Sequence, residues 1–338
     1  MSLTQQSVSE QAAVPRTVDT GARWTRRLAE TPEIGVVAAC VLVFAGVFLA
    51  RNSFATLANL QEMGRNLSEF GLLAVGESLV ILTGGIDLSV GALAALAGVF
   101  GSWLFVSVGL PLGPCIVLTL LLCAAVGTAH GLFVTRLSVP PFVITLVTYT
   151  AARGAAQAIT KSVPITISGQ NFIDLNRTNV IGVPLPLIVF VVAAIGLWFF
   201  LERTYWGRQT YAVGGNAEAA RLAGIPVRRR TLITYIVSGT LAGVVGLLIS
   251  ARLGLGDPSV ATGYELDAIA AAVIGGVSLF GGRGKVLWTV YGALFLTVVD
   301  KGLQLMGLSL ASVFAVKGGV ILAAAIIDAQ RQRLVARA

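Results

Sequence analysis

The chain has 338 residues, of which 56% are hydrophobic and only 12% are charged, and its formal net charge is +8. Soluble proteins are about 25% charged, so this composition excludes an ordinary soluble domain and indicates a multi-pass membrane protein. The basic residues fall mainly between apolar runs, which argues against a nucleic-acid-binding patch.

Ten apolar runs predict an all-α integral membrane protein with about ten transmembrane helices. A polar stretch at residues 1–33 predicts a mobile tail, residues 34–328 form the transmembrane domain, and residues 329–338 form a second tail. The predicted helices cover residues 34–50, 67–84, 88–109, 113–135, 142–160, 186–202, 231–251, 268–282, 286–306 and 309–328. The run at 268–282 is short and ends in a glycine cluster, which is typical of a partial or broken helix.

The placement of lysine and arginine predicts the orientation. Ten crossings put both termini on one side of the membrane, and most of the basic residues fall on that side too. Because cytoplasmic loops carry the excess of lysine and arginine, we expect both termini to be cytoplasmic.

The longest polar interval between the apolar runs covers residues 203–230 and contains one short predicted helix, Ala217–Ala223. Asn216 is a good N-cap, Glu218 suits the positive end of the helix dipole, and Gly224 suits the left-handed C-terminal position. Two turns are marginal alone, so the helix needs a surface to pack on. It is either an ordinary surface helix or a docking helix that offers Ala219, Leu222 and Ala223 to a soluble partner.

Several charged residues fall within or beside predicted spans, where they are costly and often functional. Glu77 and Asp87 are candidates for a gate or a transport pathway, although Asp87 also suits a helix N-cap at the membrane surface. Asp300 and Lys317 fall at similar depths on the last two helices, which favours a structural ion pair. Two helix ends, IxxGGIDL at 81–88 and AVIGGVSL at 272–279, resemble each other, and coincidence is the simplest interpretation.

Catalytic and metal-binding patterns are missing from the sequence. Cys40, Cys115 and Cys123 have no metal or disulfide spacing, and the single histidine, His130, has no cluster of ligands around it. No nucleophile–base pair and no phosphate-binding loop of the form GxxxxGK[ST] occurs. The sequence therefore predicts no metal site, no cofactor and no enzymatic activity.

Four segments carry a resemblance to a known family: ILTGGIDLSVGAL (81–93), VPPFVITLVTYTAARG (139–154), WGRQTYAVGGNAEAARLAGI (206–225) and TGYELDAIAAAVIGGVSLFGGRGKV (262–286). Through them the chain, from about residue 65 onward, resembles the permease subunits of bacterial ABC importers for monosaccharides of the ribose, xylose and galactose type. The chain departs from that family at His130, where relatives usually carry asparagine.

The resemblance implies a homodimer of permeases in the bacterial inner membrane, a separate ABC ATPase, and an extracytoplasmic sugar-binding protein. It also implies that the 203–230 loop holds the helix that couples the permease to the ATPase. Glu218-Ala219-Ala220 and Gly224 match the start of the EAA-x3-G motif of such permeases, and the later Ile-x-Leu-Pro part is missing. The implied coupling residues are Gly215, Asn216, Glu218, Ala219, Ala220 and Gly224.

Two other functions are compatible with a polytopic protein. An ion-coupled secondary transporter of a small polar solute needs intramembrane carboxylate or histidine relays, for which Glu77 is the main candidate. An integral membrane enzyme needs a clustered polar site, and the sequence shows none. Dependence of uptake on a separate ATPase would distinguish the importer from the ion-coupled transporter.

Overall fold

Helices make up most of the chain in the computed structural model, which describes residues 32–50, 52–309, 311–313, 315–319, 322 and 326. The predicted tails at 1–33 and 329–338, apart from residues 32 and 33, lie outside the described residues, as does part of the predicted helix at 309–328.

The described chain contains twelve helices of defined bounds, a short 3-10 turn and four two-residue strands. The helices are α1 (Pro32–Ala50), α2 (Leu57–Leu82), α3 (Val90–Val106), α4 (Leu112–Arg136), α5 (Pro141–Thr160), α6 (Gln170–Arg177), α7 (Leu185–Arg203), α8 (Tyr205–Gly215), α9 (Ala217–Leu222), α10 (Val227–Leu253), α11 (Tyr264–Ile274) and α12 (Val286–Leu305). The 3-10 turn is Asn52–Ala55, and the strands are β1 (Ile165–Thr166), β2 (Asn179–Val180), β3 (Val183–Pro184) and β4 (Leu255–Gly256). β1 pairs with β4 and β2 with β3, both antiparallel.

Four helices within the described residues are long and apolar enough to cross a membrane: α4, α7, α10 and α12. Shorter apolar helices lie at Val37–Leu49 and Val90–Val106. The predicted class, an all-α membrane protein, is thereby confirmed in its coarse form.

Helix α10 lies at the centre of the bundle and packs against α2, α3 and α4. Close approach of the backbones requires glycine at two contacts. A Cβ on Gly246 would lie 2.1 Å from the carbonyl oxygen of Ala94, and one on Gly127 would lie 2.3 Å from that of Tyr235. Small residues at such contacts let transmembrane helices pack tightly without a hydrophobic driving force.

Helix α1 packs mainly on α12 and belongs to a small core of its own. This core contains Val47, Phe54, Met63 and Val298. A Cβ on Gly302 of α12 would lie 2.6 Å from Val47, so the two helices touch closely there.

Helix α2 begins at Leu57, ten residues earlier than the prediction, which treated residues 51–66 as a polar segment outside the helix. Its charged residues are paired instead of solvated. Arg252 of α10 lies 2.9 Å from Glu69 and 3.6 Å from Glu62, and the Arg65 guanidinium donates to the Asn176 carbonyl and the Asn179 amide oxygen. A charged helix can therefore continue because its partners come from distant segments.

Helix α11 ends at Ile274, eight residues before the predicted end at 282. Gly276 adopts a φ of +89°, the left-handed conformation that ends helices, and residues 275–285 form a loop. The polar stretch at 161–185, between the predicted helices at 142–160 and 186–202, contains β1, α6 and the β2–β3 hairpin.

Candidate functional site

Both ends of the short helix α9 are capped as the sequence predicts. The Asn216 side-chain oxygen accepts a hydrogen bond from the Ala219 amide at 2.9 Å. At the other end Gly224 has a φ of +79°, and the amides of Gly224 and Ile225 donate to the carbonyls of Arg221 and Ala220. These two bonds form a Schellman motif, which satisfies the last free carbonyls of the helix.

Helix α9 turns one side chain inward and several outward. Ala220 is only 5% exposed and anchors the helix on the rest of the chain. Ala219 and Ala223 are exposed, and Leu222 is 77% exposed. An apolar leucine so exposed between two alanines leaves a small apolar face without a partner in the described structure.

A single ion pair lies along α9. The Arg221 Nε donates to Glu218 Oε2 at 3.0 Å, and both side chains are about two-thirds exposed, with 66% and 65% accessible. The hydrogen bond and the charge of Arg221 lower the pKa of the Glu218 carboxyl below its usual range. Glu218 is thus ionised near the N-terminus of α9, where the helix dipole favours a negative charge.

Helix α8, which the sequence analysis left inside the polar loop, holds α9 against the membrane helices. The Thr204 hydroxyl caps it by accepting from the Gly207 amide at 3.2 Å. Arg230 of α10 lies over the Trp206 ring at 3.6 Å and donates to Gln209 at 2.6 Å. The sequence does contain one signal for this helix, the N-capping Thr204 before a short amphipathic run.

Gly214, near the end of α8, contacts the end of α2 and the loop after α11 at once. A Cβ there would lie 1.7 Å from the carbonyl oxygen of Leu82 and 2.6 Å from the amide nitrogen of Gly282. That same Gly282 amide donates to the Leu82 carbonyl at 3.0 Å. The segment carrying α9 is therefore in backbone contact with the end of α2 and with the loop after α11.

The ends of α2 and α11 are built alike. Gly84 and Gly276 both have positive φ, and each helix closes with the same pair of bonds, one from each glycine and one from the residue after it. These are Schellman motifs like the one that ends α9, and they are offset by one residue from the sequence match between 81–88 and 272–279. A common helix ending therefore accounts for the likeness, and coincidence remains the simplest interpretation.

Glu77 and Asp87 lie together in a fully buried polar cluster. Glu77 Oε1 accepts from the Asp87 amide at 3.0 Å, which supplies the partner that the sequence did not reveal. Asp87 Oδ1 accepts from the amide and the hydroxyl of Ser89 at 3.0 and 2.6 Å. Its other oxygen accepts from the Ser238 hydroxyl of α10 at 3.4 Å. Asp87 therefore shapes the turn between α2 and α3 inside the protein, and it is not a cap at the membrane surface.

His130 and Tyr235 complete this cluster, and the sequence analysis did not place them there. His130 Nδ1 lies 3.9 Å from Asp87 Oδ2, and its Nε2 is hydrogen-bonded to Thr148 at 2.8 Å. The Tyr235 ring stands edge-on to the imidazole, with centroids 5.9 Å apart. Glu77 Oε2, His130 Nδ1 and the Tyr235 hydroxyl have no hydrogen-bond partner within the described chain.

A cleft of about 440 Å³ connects α9 with the cluster. Glu218 and Arg221 of α9 line it on one side, and Gly84, Gly85 and Tyr235 line it on the other. Of the implied coupling residues Gly215, Asn216, Glu218, Ala219, Ala220 and Gly224, only Glu218 lines the cleft, and Glu77 and Asp87 do not line it. Among the described residues, no group of histidine, cysteine, aspartate and glutamate could hold a metal ion.

The chain is similar to permease proteins of known systems along most of its length. It is 40% identical to the ribose import permease protein of Bacillus subtilis (strain 168) over 287 residues, which cover 84% of this chain and 89% of the relative. It is 38% identical to the ribose import permease protein of Escherichia coli (strain K12), covering 87% and 92%. It is 34% identical to the D-allose transport system permease protein of the same strain, covering 87% and 89%.

A family profile described as the permease component of the branched-chain amino acid transport system matches residues 59–325. No solved structure matches the chain. The matched region begins just after the start of α2 and includes the whole polar cluster, α8 and α9. By the extent of this match and of the three relatives, the chain belongs to the family of branched-chain amino acid transport system permease components.

Proposed function

We propose that this chain is the transmembrane subunit of an ATP-driven ABC importer and forms the pathway for a monosaccharide. This proposal is supported most directly by the 34–40% identity to ribose and allose permeases over more than four-fifths of the chain. The protein lies in the bacterial inner membrane and works with a separate ABC ATPase and an extracytoplasmic sugar-binding protein. Two copies form the working permease.

The capped and exposed helix α9 is the structural observation that carries the proposal. A permease without an ATPase domain needs a surface through which another protein can move it. The apolar face of Ala219, Leu222 and Ala223 provides that surface, and Ala220 holds the helix on the bundle. Gly215, Asn216, Glu218 and Gly224 shape or flank the docking helix.

The contact of Gly214 with Leu82 and Gly282 is the proposed route by which α9 acts on the membrane helices. Movement of α8 and α9 displaces the ends of α2 and α11, where both helices are interrupted. The α2 break is fixed on its inner side by Glu77 and Asp87, which therefore act as a gate element between two packings of the bundle. A partner can favour one packing only by binding the two with different affinity.

The transmembrane domain, residues 34–328, crosses the membrane ten times in this proposal. Its helices alternate in direction, α11 is the short member, and residues 309–328 supply the last crossing. The end that carries α8, α9 and the basic residues of 203–230 is cytoplasmic, by the positive-inside rule.

Replacing Ala219 or Ala223 with glutamate tests the docking face. Glutamate is nearly as good a helix former as alanine, so α9 should persist. A bulky charge against an apolar groove adds overpacking of about 1–3 kcal/mol and an unpaired interfacial charge. We expect normal membrane insertion, loss of the co-purified ATPase, and loss of ATP-dependent monosaccharide uptake by whole cells.

Arg177→Gln at the opposite end of the molecule serves as the matched control and should leave both properties intact. Gly224→Val should instead disorder the end of α9, because valine is strained at a φ of +79°. Normal ATPase retention and normal uptake in the two glutamate variants would rule out α9 as the coupling element.

A further inference from the structure

The exposed apolar side of α7 ends in an arginine. Val192, Ile195 and Phe199 are each more than half exposed and form one apolar stripe along the helix. Arg203, also exposed, follows Phe199 by about one helical turn and Val192 by about three turns. The exposed apolar stripe therefore leads directly to a guanidinium group at the α8–α9 end of the bundle.

Aromatic rings hold the arginines at this position. Arg203 lies over the Trp198 ring at 5.6 Å, and Arg208 of α8 lies over the Tyr205 ring at 6.0 Å. Tyr205 is itself 61% exposed. Tryptophan and tyrosine concentrate at the headgroup level of membranes, where one edge of the ring is apolar and the other is wet. We call Trp198, Arg203, Tyr205 and Arg208 the α7–α8 corner.

The positive charges of the corner are not neutralised within the described part of the chain. No carboxylate there lies within ion-pair distance of Arg203 or Arg208. The adjacent acid, Glu202, is engaged elsewhere, since its Oε1 accepts from the Tyr211 hydroxyl at 3.3 Å. Among the described residues, the two exposed guanidinium groups thus have no carboxylate partner, which leaves them suited to an external anion.

The same combination recurs on the neighbouring helix. Lys285 lies over the Trp288 ring at 5.1 Å at the start of α12, and α12 packs against α7. Leu287 and Tyr291 of α12 are exposed and continue the apolar surface into the membrane. A rim of cations and aromatic rings therefore follows an apolar surface across two adjacent helices.

We propose that the α7–α8 corner binds the phosphate headgroup of an anionic phospholipid in the cytoplasmic leaflet. The guanidinium groups bind the phosphate, the aromatic rings lie at the headgroup level, and the acyl chains run along the α7 stripe. Arginine suits this role because its planar fork matches phosphate oxygens and stacks on aromatic rings. A lipid explains the apolar stripe and the cations together. The ATPase would cover only the cations, and its proposed contact, the α9 face, is a separate surface.

Lipid retention by the purified permease tests this proposal. Wild-type protein in nanodiscs made of equal parts phosphatidylglycerol and phosphatidylcholine is extracted gently, and the retained lipids are identified by native mass spectrometry. We expect preferential retention of phosphatidylglycerol that falls as the salt concentration rises. Each basic residue near an anionic headgroup contributes a factor of about five, so Arg203→Gln with Arg208→Gln should weaken retention about 25-fold.

Arg177→Gln, at the opposite end of the molecule, is the matched control and should retain lipid like the wild type. Added glycerol phosphate should not displace the lipid, because it lacks the acyl chains that contact α7. Equal retention of both lipids by the wild type, or undiminished phosphatidylglycerol in the double variant, would overturn the proposal. A double variant that keeps its lipid but loses the ATPase would also overturn the proposal. If the double variant fails to fold, the lipid retention of the single variant Arg208→Gln decides.

Discussion

Gly214 and Gly215 are neighbours in sequence, but their surroundings differ sharply. A side chain on Gly214 would enter the backbone contact with Leu82 and Gly282, while a side chain on Gly215 would meet nothing within 4 Å. One methyl group at the first position must therefore separate α8 from the ends of α2 and α11. At the second position it has free space.

This difference gives a prediction for Gly214→Ala with Gly215→Ala as its control. Backbone atoms cannot move aside as a flexible side chain can, so Gly214→Ala should cost about 1–3 kcal/mol or more. Gly215→Ala should be neutral or slightly stabilising, because alanine loses less backbone entropy in a helix. Thermal unfolding of the purified proteins checks both, and equal midpoints would contradict the proposed backbone contact.

Single-residue properties were predictable wherever their causes are local. The caps Asn216 and Gly224 satisfy backbone groups within a few residues, and the prediction of α9 was confirmed at both ends. The partner of Glu77 could not be predicted, because the Asp87 amide reaches it only through the turn after α2. His130 joins the same cluster from α4, and helix packing alone determines that.

At the scale of elements, Lys317 connects three segments of the chain. Its Nζ lies 3.1 Å from Asp267 of α11 and 3.1 Å from Asp300 of α12, and all three side chains are largely buried. The predicted pair between Asp300 and Lys317 is confirmed and extended by Asp267. Asp300 also accepts from Gln304 at 2.7 Å, so it depends less on the lysine.

Lys317→Met should therefore be more damaging than Asp300→Asn, because it leaves two buried carboxylates without a cation. Removing one partner of a buried pair costs about 3–5 kcal/mol. Asp300→Asn keeps the bond between Lys317 and Asp267 and should cost less. The double variant Lys317→Met with Asp300→Asn should recover part of the folded protein. The triple variant that also carries Asp267→Asn should recover more. Folded yield by size-exclusion chromatography measures this order, and equal loss in the two single variants would contradict it.

The ends of helices were predicted well where an apolar run gives way to exposed polar residues. They were predicted poorly where a helix carries buried charged residues. Helices α4 and α7 nearly match their predicted ranges. Helix α2 extends ten residues further because Arg252 compensates its acidic residues. The strands β1 and β4 pair across about ninety residues, so no local pattern indicates them.

At the scale of the whole molecule, the proposed orientation makes a labelling prediction. Asn171 in α6 and Ala217 in α9 are both exposed, and the proposed ten crossings put them on opposite sides of the membrane. A single cysteine at each position, with Cys40, Cys115 and Cys123 replaced, is treated with a membrane-impermeant maleimide in whole cells. Asn171→Cys should react and Ala217→Cys only after lysis. If both cysteine variants react in intact cells, the proposed number of crossings between residues 171 and 217 is excluded.

The separate small core of α1 has a consequence for the side of the membrane on which the amino terminus lies. Helix α1 rests mainly on α12, and the family match begins at residue 59, after α1 has ended. None of the α1 residues whose burial is described belongs to the large core around α10. In the proposed ten-crossing arrangement, α1 is therefore a crossing that adds little to that core, yet it sets whether the number of crossings is odd or even. A lineage could lose or gain such a helix without redesigning the interior, and its amino terminus would then face the opposite compartment.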